Sequence, residues 1–283
     1  MCDNEINSGL FEDWSLTRRT FFALSAAATL SGTAVYAADS VVETDVSVKT
    51  PDGTADAVLF HPGGKGAWPA VLMWPDIFGL RPVFREMGRR LAAQGYTVLV
   101  PNPFYRSATS KDILAGGANP DMQKMFGYRN AIKDEGVDSD AKAYLGFLDA
   151  QAATDKKKKA GVQGYCMGGP LSFRTAAAVP GRIGAVGSFH GGGLVTTTPA
   201  SPHLLIPKTK AAFLICVAKN DDARAPADKD TLKAAFTAAG RPATVEVYAG
   251  DHGWCVPGSA AYNMDAAEKA WAELTKLYKA NLV

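Results

Sequence analysis

The sequence predicts an α/β fold, with a mostly parallel central sheet and helices on both of its faces. Two observations predict it. Short apolar or β-branched runs alternate with segments of helical periodicity along most of the chain, which is typical of parallel strands joined by crossover helices. Residues 164–169, Gly-Tyr-Cys-Met-Gly-Gly, follow an apolar run and precede a helical segment. Small residues on both sides of Cys166 are typical of a sharp turn between a strand and a helix.

The composition indicates one sizeable globular domain. The chain has 283 residues, of which 47% are hydrophobic and 20% are charged, as in ordinary globular enzymes. A net charge of +2 gives no reason to expect a nucleic-acid partner. The four cysteines show neither metal-ligand spacing nor a disulfide framework. The sequence contains no dinucleotide-binding, P-loop or metal-ligand motif, so we expect no cofactor.

The N-terminal segment has the pattern of an export signal. Residues 17–22 read Thr-Arg-Arg-Thr-Phe-Phe, and an Ala-rich apolar run follows through Ala37. This predicts a twin-arginine signal peptide over residues 1–37, cleaved after Ala37, and one mature domain over residues 38–283. We therefore expect export by the twin-arginine machinery to the periplasm or beyond the cell. A cytoplasmic protein with a fortuitous leader is a less favoured alternative.

An uncleaved anchor helix is the other alternative for this segment. The apolar run is short and weakly hydrophobic, whereas a stable membrane span needs about 20 strongly apolar residues. We therefore expect no stable membrane span in the mature protein.

The first half of the mature chain is predicted to form a hairpin, two buried strands and a helix. Alternating runs flank Pro-Asp-Gly at residues 51–53, which is typical of a hairpin. The helical periodicity stops at Gly95. The predicted ranges are 43–48 and 57–60 for the hairpin, 70–74 and 96–100 for the strands, and 82–94 for the helix.

A long connection follows. Residues 102–137 are punctuated by Gly and Pro and are predicted to be mostly irregular, apart from a helix near residues 122–132. A connection of this length in a compact domain is usually a lid or a substrate loop. A helix is then predicted over residues 139–151.

The second half continues the alternation of strands and helices. Its strands are predicted from short apolar or alternating runs, and its helices from a period of 3.6 residues. The predicted strands are 160–163, 183–189, 211–217 and 244–248, and the predicted helices are 170–179, 227–239 and 263–280.

Three chemically active residue types follow predicted strands in a particular order. Cys166 comes first, then the adjacent acids Asp221 and Asp222, and then His252. Nucleophile, acid and histidine occur in this order in α/β-hydrolases. A thiol at the turn suggests acyl transfer through a thioester, whereas a buried structural cysteine is the alternative when the turn is considered alone.

With these motifs the chain resembles the dienelactone hydrolase family of α/β-hydrolases. The resemblance extends from about Val46 to the C-terminus and includes Pro-Asp-Ile-Phe-Gly-Leu at 75–80 and Pro-Asn-Pro-Phe-Tyr-Arg at 101–106. It implies an α/β-hydrolase fold and a Cys-His-Asp triad that hydrolyses small esters or lactones.

The resemblance also implies roles for the triad residues. Cys166 would be the nucleophile, and His252 would accept its proton and return one to the leaving group. The family pattern Asp-x-x-x-Pro matches Asp222 and Pro226, which favours Asp222 as the acid that orients His252. Asp221 stays open as the alternative, because the two acids are adjacent.

The oxyanion hole is expected to consist of two backbone N–H groups. One belongs to Met167, directly after the nucleophile. The resemblance assigns the other to Ile77, in the loop after the first buried strand. His-Gly-Gly-Gly at 190–193 lies after the nucleophile rather than before it. It is therefore interpreted as a turn at a strand end, with a minor chance of lining the pocket.

Two positions depart from the family pattern. Asp76 stands where the family carries a Glu that contacts the resting thiol. Arg106 matches one of two arginines that bind the substrate carboxylate, and Val256 occupies the position of the other. Arg81 or Arg224 could replace the missing arginine.

The sequence thus predicts an exported hydrolase of small ester or lactone substrates. The alternative is a thiol-redox or small-molecule-binding protein built on a hydrolase scaffold, because an exported thiolate is open to oxidation. A peptidase or thioesterase with the same fold is a third interpretation. The absence of a propeller or other accessory domain weakens the peptidase option.

Overall fold

The computed structural model describes residues 41–117 and 120–283. The predicted signal peptide over residues 1–37 and its cleavage point lie outside the described residues. In the part of the chain that is described, no helix combines the length and the apolar character that crossing a bilayer requires.

A twisted sheet of eight strands forms the centre of the structure. Its spatial order is β1-β2-β4-β3-β5-β6-β7-β8. The pairs β1–β2 and β2–β4 are antiparallel, and the other neighbours are parallel. The strands are β1 Val42–Thr50, β2 Gly53–His61, β3 Ala70–Trp74, β4 Thr97–Pro101, β5 Ala160–Tyr165, β6 Ile183–Phe189, β7 Ala212–Ala218 and β8 Ala243–Tyr248.

Helices cover both faces of this sheet. They are α1 Pro82–Ala92, α2 Ser110–Leu114, α3 Met122–Ala131, α4 Asp134–Asp149, α5 Gly168–Ala178, α6 Lys219–Arg224, α7 Asp228–Ala238 and α8 Met264–Asn281, with a 3₁₀ helix at Pro202–Lys208. The apolar sides of α1 and α8 pack in one core cluster, and those of α4, α5 and α7 pack in another. The predicted α/β fold, with a mostly parallel sheet between two helical layers, is confirmed.

The hairpin at the start of the domain is longer than predicted. The register pairs Thr50 with Gly53 across the turn, and Gly53 has a φ of 146° that an L side chain rarely adopts. The register continues to the pair Val42 and His61, and residues 57–60 of β2 are buried without a break, so both strands extend beyond the predicted runs.

The connection between β4 and α4 is more helical than predicted. Thr109 and Asp112 form a capping box at the start of α2, and Asp121 caps α3 through two backbone N–H groups. The helix predicted to begin at residue 139 begins at Asp134, since the buried Val137 adds a turn to its apolar face.

Candidate active site

Cys166 lies at the sharp turn between β5 and α5. Its φ is 54°, a left-handed conformation that is uncommon for a residue with a side chain. The backbone N–H of Cys166 donates to the Phe189 carbonyl at 3.0 Å, and its carbonyl accepts from the Gly169 N–H at 3.0 Å. The strained turn therefore presents the thiol at the carboxyl edge of the sheet, as the sequence predicts.

The glycines of the turn are required by close backbone approaches. A Cβ at Gly164 would lie 1.9 Å from the carbonyl oxygen of Gly168, and one at Gly168 would lie 2.6 Å from the carbonyl oxygen of Trp74. At Gly169 it would lie 2.7 Å from the Cα of Gly191. No side chain fits at these positions unless the backbone moves.

Cys166 and His252 line the same pocket at the end of the parallel strands. The residues that line it are Asp76, Ile77, Phe78, Cys166, His190, His252, Gly253, Val256 and Ser259. His252 lies in the loop after β8, and its backbone N–H donates to the Asn220 side chain at 2.8 Å. Ligand sites of open α/β sheets lie at this edge.

Asp221 is the carboxylate that contacts His252. Its Oδ2 lies 2.6 Å from Nδ1 of His252, whereas Oδ1 of Asp222 accepts a hydrogen bond from Lys229 Nζ at 2.8 Å. The choice of Asp222 is thereby corrected in favour of the alternative. Both acids lie on α6, where successive side chains point about 100° apart, so only one of them can face the histidine.

Asp76 forms a bidentate ion pair with Arg81. The two guanidinium nitrogens donate to Oδ1 at 2.6 Å and to Oδ2 at 2.9 Å, and the Phe78 N–H also donates to Oδ1 at 2.9 Å. Arg81 is fully buried. The structure therefore places a cation against the acid that was expected to influence the thiol, and it excludes Arg81 as the replacement arginine at the substrate.

The two residues expected to supply the oxyanion donors, Ile77 and Met167, pack in one apolar cluster with Cys166. Ile77 is buried and lines the pocket, and its turn is held by a hydrogen bond from the Gly79 N–H to the Asp76 carbonyl at 2.9 Å. Met167 directly precedes α5, where the helix dipole favours a developing negative charge. This placement is compatible with the predicted oxyanion hole.

Arg106 is held away from the pocket. Its guanidinium donates to both oxygens of Asp140 at 2.7 and 2.9 Å and to Asp52 at 2.6 Å, and it stacks on Tyr105. Burial alone would lower the pKa of Arg106. The hydrogen bonds to Asp140 and Asp52 outweigh this effect, so the pKa lies above its usual value. Because two carboxylates occupy its donors and it is not among the residues that line the pocket, the structure gives no support to the expectation that Arg106 binds substrate.

The remaining alternative, Arg224, lies near Asp221. Its guanidinium is 3.6 Å from Oδ1 of Asp221, and it is not among the residues that line the pocket.

The long connection after β4 packs near Cys166. Ile113 of α2 and Met125 of α3 pack in one apolar cluster with Phe78, Cys166 and Met167. The predicted substrate loop thus packs in the same apolar cluster as Cys166.

His190 is the residue of the pocket that sequence reasoning underrated. It is 1% exposed, has a φ of 39° and stacks edge-to-face on His252 with ring centroids 4.8 Å apart. Burial, together with nearby His252, lowers the pKa of the His190 imidazole well below its usual 6.5, although a contact with its own main chain raises it. The available signal was its position directly after β6, next to the strand that carries the nucleophile.

The described residues contain no group of three or more His, Cys, Asp or Glu placed to hold a metal ion.

Comparison with known proteins places these features in one family. The model of the dienelactone hydrolase family matches residues 55–282. A Methylorubrum extorquens protein named "Putative carboxymethylenebutenolidase" is 26% identical over 279 residues, which cover 94% of this chain and 93% of the relative. The carboxymethylenebutenolidase of Rhodococcus opacus is 24% identical over 201 residues, which cover 71% of this chain and 75% of the relative.

Solved structures agree at the level of the fold. The structure of a "Putative Dienelactone Hydrolase" from Klebsiella pneumoniae superposes with a TM-score of 0.75 at 20% identity. The superposition covers 85% of this chain and 99% of that chain.

Proposed function

Because the chain belongs to the dienelactone hydrolase family and is a hydrolase, we propose that it cleaves small esters or lactones through an acyl-cysteine intermediate. One observation carries this proposal. Cys166 lies on a strained turn and lines the same pocket as His252. Nδ1 of this histidine is hydrogen-bonded to Asp221.

In the first half of the reaction, His252 takes the proton of the Cys166 thiol and the sulfur attacks the substrate carbonyl. The hydrogen bond from Nδ1 to Asp221 leaves Nε2 as the nitrogen that exchanges protons, and the carboxylate stabilises the imidazolium that forms. The tetrahedral oxyanion is placed to accept hydrogen bonds from the Ile77 and Met167 N–H groups. His252 then returns the proton to the leaving oxygen, which leaves a thioester on Cys166.

In the second half, His252 takes a proton from water, and the resulting nucleophile attacks the thioester carbonyl. The carbon–sulfur bond breaks and the thiol recovers its proton from the imidazolium. With a lactone substrate, the leaving oxygen stays attached to the acyl chain, so the product is a single hydroxy acid.

Turnover of p-nitrophenyl butyrate tests the nucleophile. We expect Cys166→Ala to abolish turnover above the level of the buffer. Cys255→Ala is the matched control, because burial raises the pKa of the Cys255 thiol well above its usual value and keeps it protonated. Equal losses in the two variants, or a fully active Cys166→Ala variant, would contradict the assignment.

We also propose that the chain is exported by the twin-arginine route and works in the periplasm or outside the cell. The support is the Arg18-Arg19 pair followed by the Ala-rich run. Changing both arginines to Lys preserves the charge and is expected to retain an uncleaved chain in the cytoplasm. Changing Lys156 and Lys157 to Arg is the matched control. Cell fractionation shows where each variant is located, and N-terminal sequencing shows whether it is cleaved. Cleaved, exported protein from the variant with both arginines changed to Lys would overturn the proposal.

A further inference from the structure

His190 is a buried polar side chain that the proposed reaction does not use. Among residues 41–117 and 120–283, and apart from the contact with its own main chain, neither ring nitrogen has a hydrogen-bond partner. Buried polar groups are nearly always hydrogen-bonded, and an exception requires a physical explanation, such as a contact with a ligand or an ordered water when the group lines a pocket. His190 lines the pocket that also contains Cys166 and His252.

The backbone fixes His190 in this position. Its N–H donates to the carbonyl of Cys216 at 2.8 Å, and its left-handed φ turns the chain away from the end of β6. The rings of Tyr165, His252 and Trp254 surround the imidazole. The side chain is therefore held rigidly, which reduces the entropy that it loses when it binds a ligand.

The imidazole of His190 is neutral at ordinary pH, because its environment disfavours the cation. A neutral imidazole offers one donor nitrogen and one acceptor nitrogen. It therefore suits an uncharged hydroxyl, ether or carbonyl oxygen, and it provides no positive charge for a carboxylate.

The remaining side chains of the pocket are also unsuited to a carboxylate. None of the described lining residues is Lys or Arg. The charge of Asp76 is matched by Arg81, whose two terminal guanidinium nitrogens both donate to that acid. Arg106 is bonded to Asp52 and Asp140. A substrate carboxylate would be desolvated here without a partner, which is unfavourable.

We infer that His190 recognises the acyl part of the substrate through a hydrogen bond, so that the enzyme prefers esters or lactones with an uncharged oxygen at the carbon α or β to the scissile carbonyl. The inference rests on the proposed function. His190 would then determine substrate specificity. The preferred substrate would carry an uncharged oxygen, and not the carboxylate of a carboxylate-bearing lactone.

Four p-nitrophenyl esters with one leaving group test the inference: the butanoate, the 2-hydroxybutanoate, the 3-hydroxybutanoate and the hemisuccinate. One hydrogen bond corresponds to roughly a three- to tenfold gain in kcat/KM. We expect the better hydroxy ester to exceed the butanoate by about tenfold, and the hemisuccinate to fall below it.

The variant His190→Phe keeps a ring and removes both nitrogens. We expect the ratio of kcat/KM for the hydroxy ester to that for the butanoate to fall to about one. A general loss of activity cancels in this ratio. His190→Asn is the second variant, because Asn tolerates a left-handed backbone and keeps a donor and an acceptor, and it should retain part of the preference.

A wild-type ratio near one, a ratio unchanged in His190→Phe, or a hemisuccinate that is the best substrate would overturn the inference. If neither variant folds, the inference is tested by the ratios of kcat/KM that the wild-type enzyme shows among the four esters. Mass spectrometry of the Cys166 peptide separates the two proposals. An acyl adduct from the butanoate with no preference for the hydroxy esters refutes only the role of His190, whereas no adduct from any ester refutes both.

Discussion

At the scale of single residues, two adjacent carboxylates on α6 have different partners. Asp221 bonds the ring of His252 at 2.6 Å, and Asp222 bonds Lys229 at 2.8 Å. The acid of a triad holds the imidazole in one tautomer and stabilises its cation, whereas a carboxylate that is bonded to Lys229 and not to the imidazole does neither.

Replacing each acid by Asn separates these roles. We expect Asp221→Asn to lower kcat by roughly 10³- to 10⁴-fold, because the amide favours the wrong tautomer of His252. Asp222→Asn should change kcat/KM less than about twofold, since Asp222 forms only a surface ion pair. Steady-state kinetics on one ester measures both, and a larger loss in Asp222→Asn would return the role to that residue.

The buried His190 also makes stability depend on pH. Its pKa is lowered in the folded protein relative to the usual 6.5, so below about pH 6.5 the unfolded chain binds a proton that the folded protein does not. The free energy of unfolding should therefore decrease as the pH falls from 6.5 towards the folded-state pKa, by up to about 1.4 kcal/mol per pH unit.

Urea unfolding at several pH values measures this effect. In His190→Phe, the free energy of unfolding should depend less steeply on pH, by the equivalent of about one bound proton. Any strain at the positive φ of this position lowers stability equally at every pH. A variant with the same slope as the wild type would show that this histidine is not the group that titrates.

At the scale of elements, the turn between β3 and α1 is built around a buried ion pair. Asp76 receives donors from Arg81 and from the Phe78 N–H, and this fixes the segment that presents Ile77 to the pocket. Removing one member of a buried pair leaves the other charge uncompensated.

We expect Arg81→Met to lower the free energy of unfolding by about 3–5 kcal/mol. Combining it with Asp76→Asn should recover at least about half of the loss, since Asn removes the charge and can still accept from Phe78. The control Arg85→Met breaks partly exposed pairs with Glu43 and Asp45 and should cost less than about 1 kcal/mol. Urea titration measures all three, and a double variant no better than Arg81→Met would contradict the role of charge.

The nucleophile turn is the second element with a specific requirement. Gly164→Ala would place a Cβ 1.9 Å from the carbonyl oxygen of Gly168, and overpacking of this kind costs at least about 1–3 kcal/mol. Gly146→Ala is the matched control, because a Cβ there meets nothing within 4 Å on an exposed side of α4 and should stabilise by about 0.5–1 kcal/mol. Thermal unfolding distinguishes them, and similar melting temperatures would contradict the packing argument.

At the scale of the whole molecule, the sheet and the nucleophile turn could be predicted because their signals are local. Apolar runs mark the buried strands, and the glycines around Cys166 mark a turn that only small residues allow. The candidate site residues each follow a predicted strand along the chain. They are therefore expected to meet at one edge of the sheet, since the carboxyl ends of parallel strands lie at the same edge.

The details of the site could not be predicted because they depend on contacts distant in sequence. The partners of Arg106 come from the hairpin turn and from α4, which no local pattern brings together. The choice between Asp221 and Asp222 depends on the phase of α6, a helix of only six residues. His190 opens a His-Gly-Gly-Gly stretch that indicates only a turn at a strand end, and its burial beside His252 depends on contacts distant in sequence.

The proposed reaction requires that Cys166 is acylated with the help of His252. Rapid-quench mass spectrometry of the intact and digested protein, after mixing with p-nitrophenyl butyrate, tests it most directly. We expect a butanoyl adduct on the Cys166 peptide that forms during the first turnover in the wild-type protein and is lost in His252→Ala. Turnover of the ester with no adduct on Cys166, or with an adduct on another residue, would contradict it.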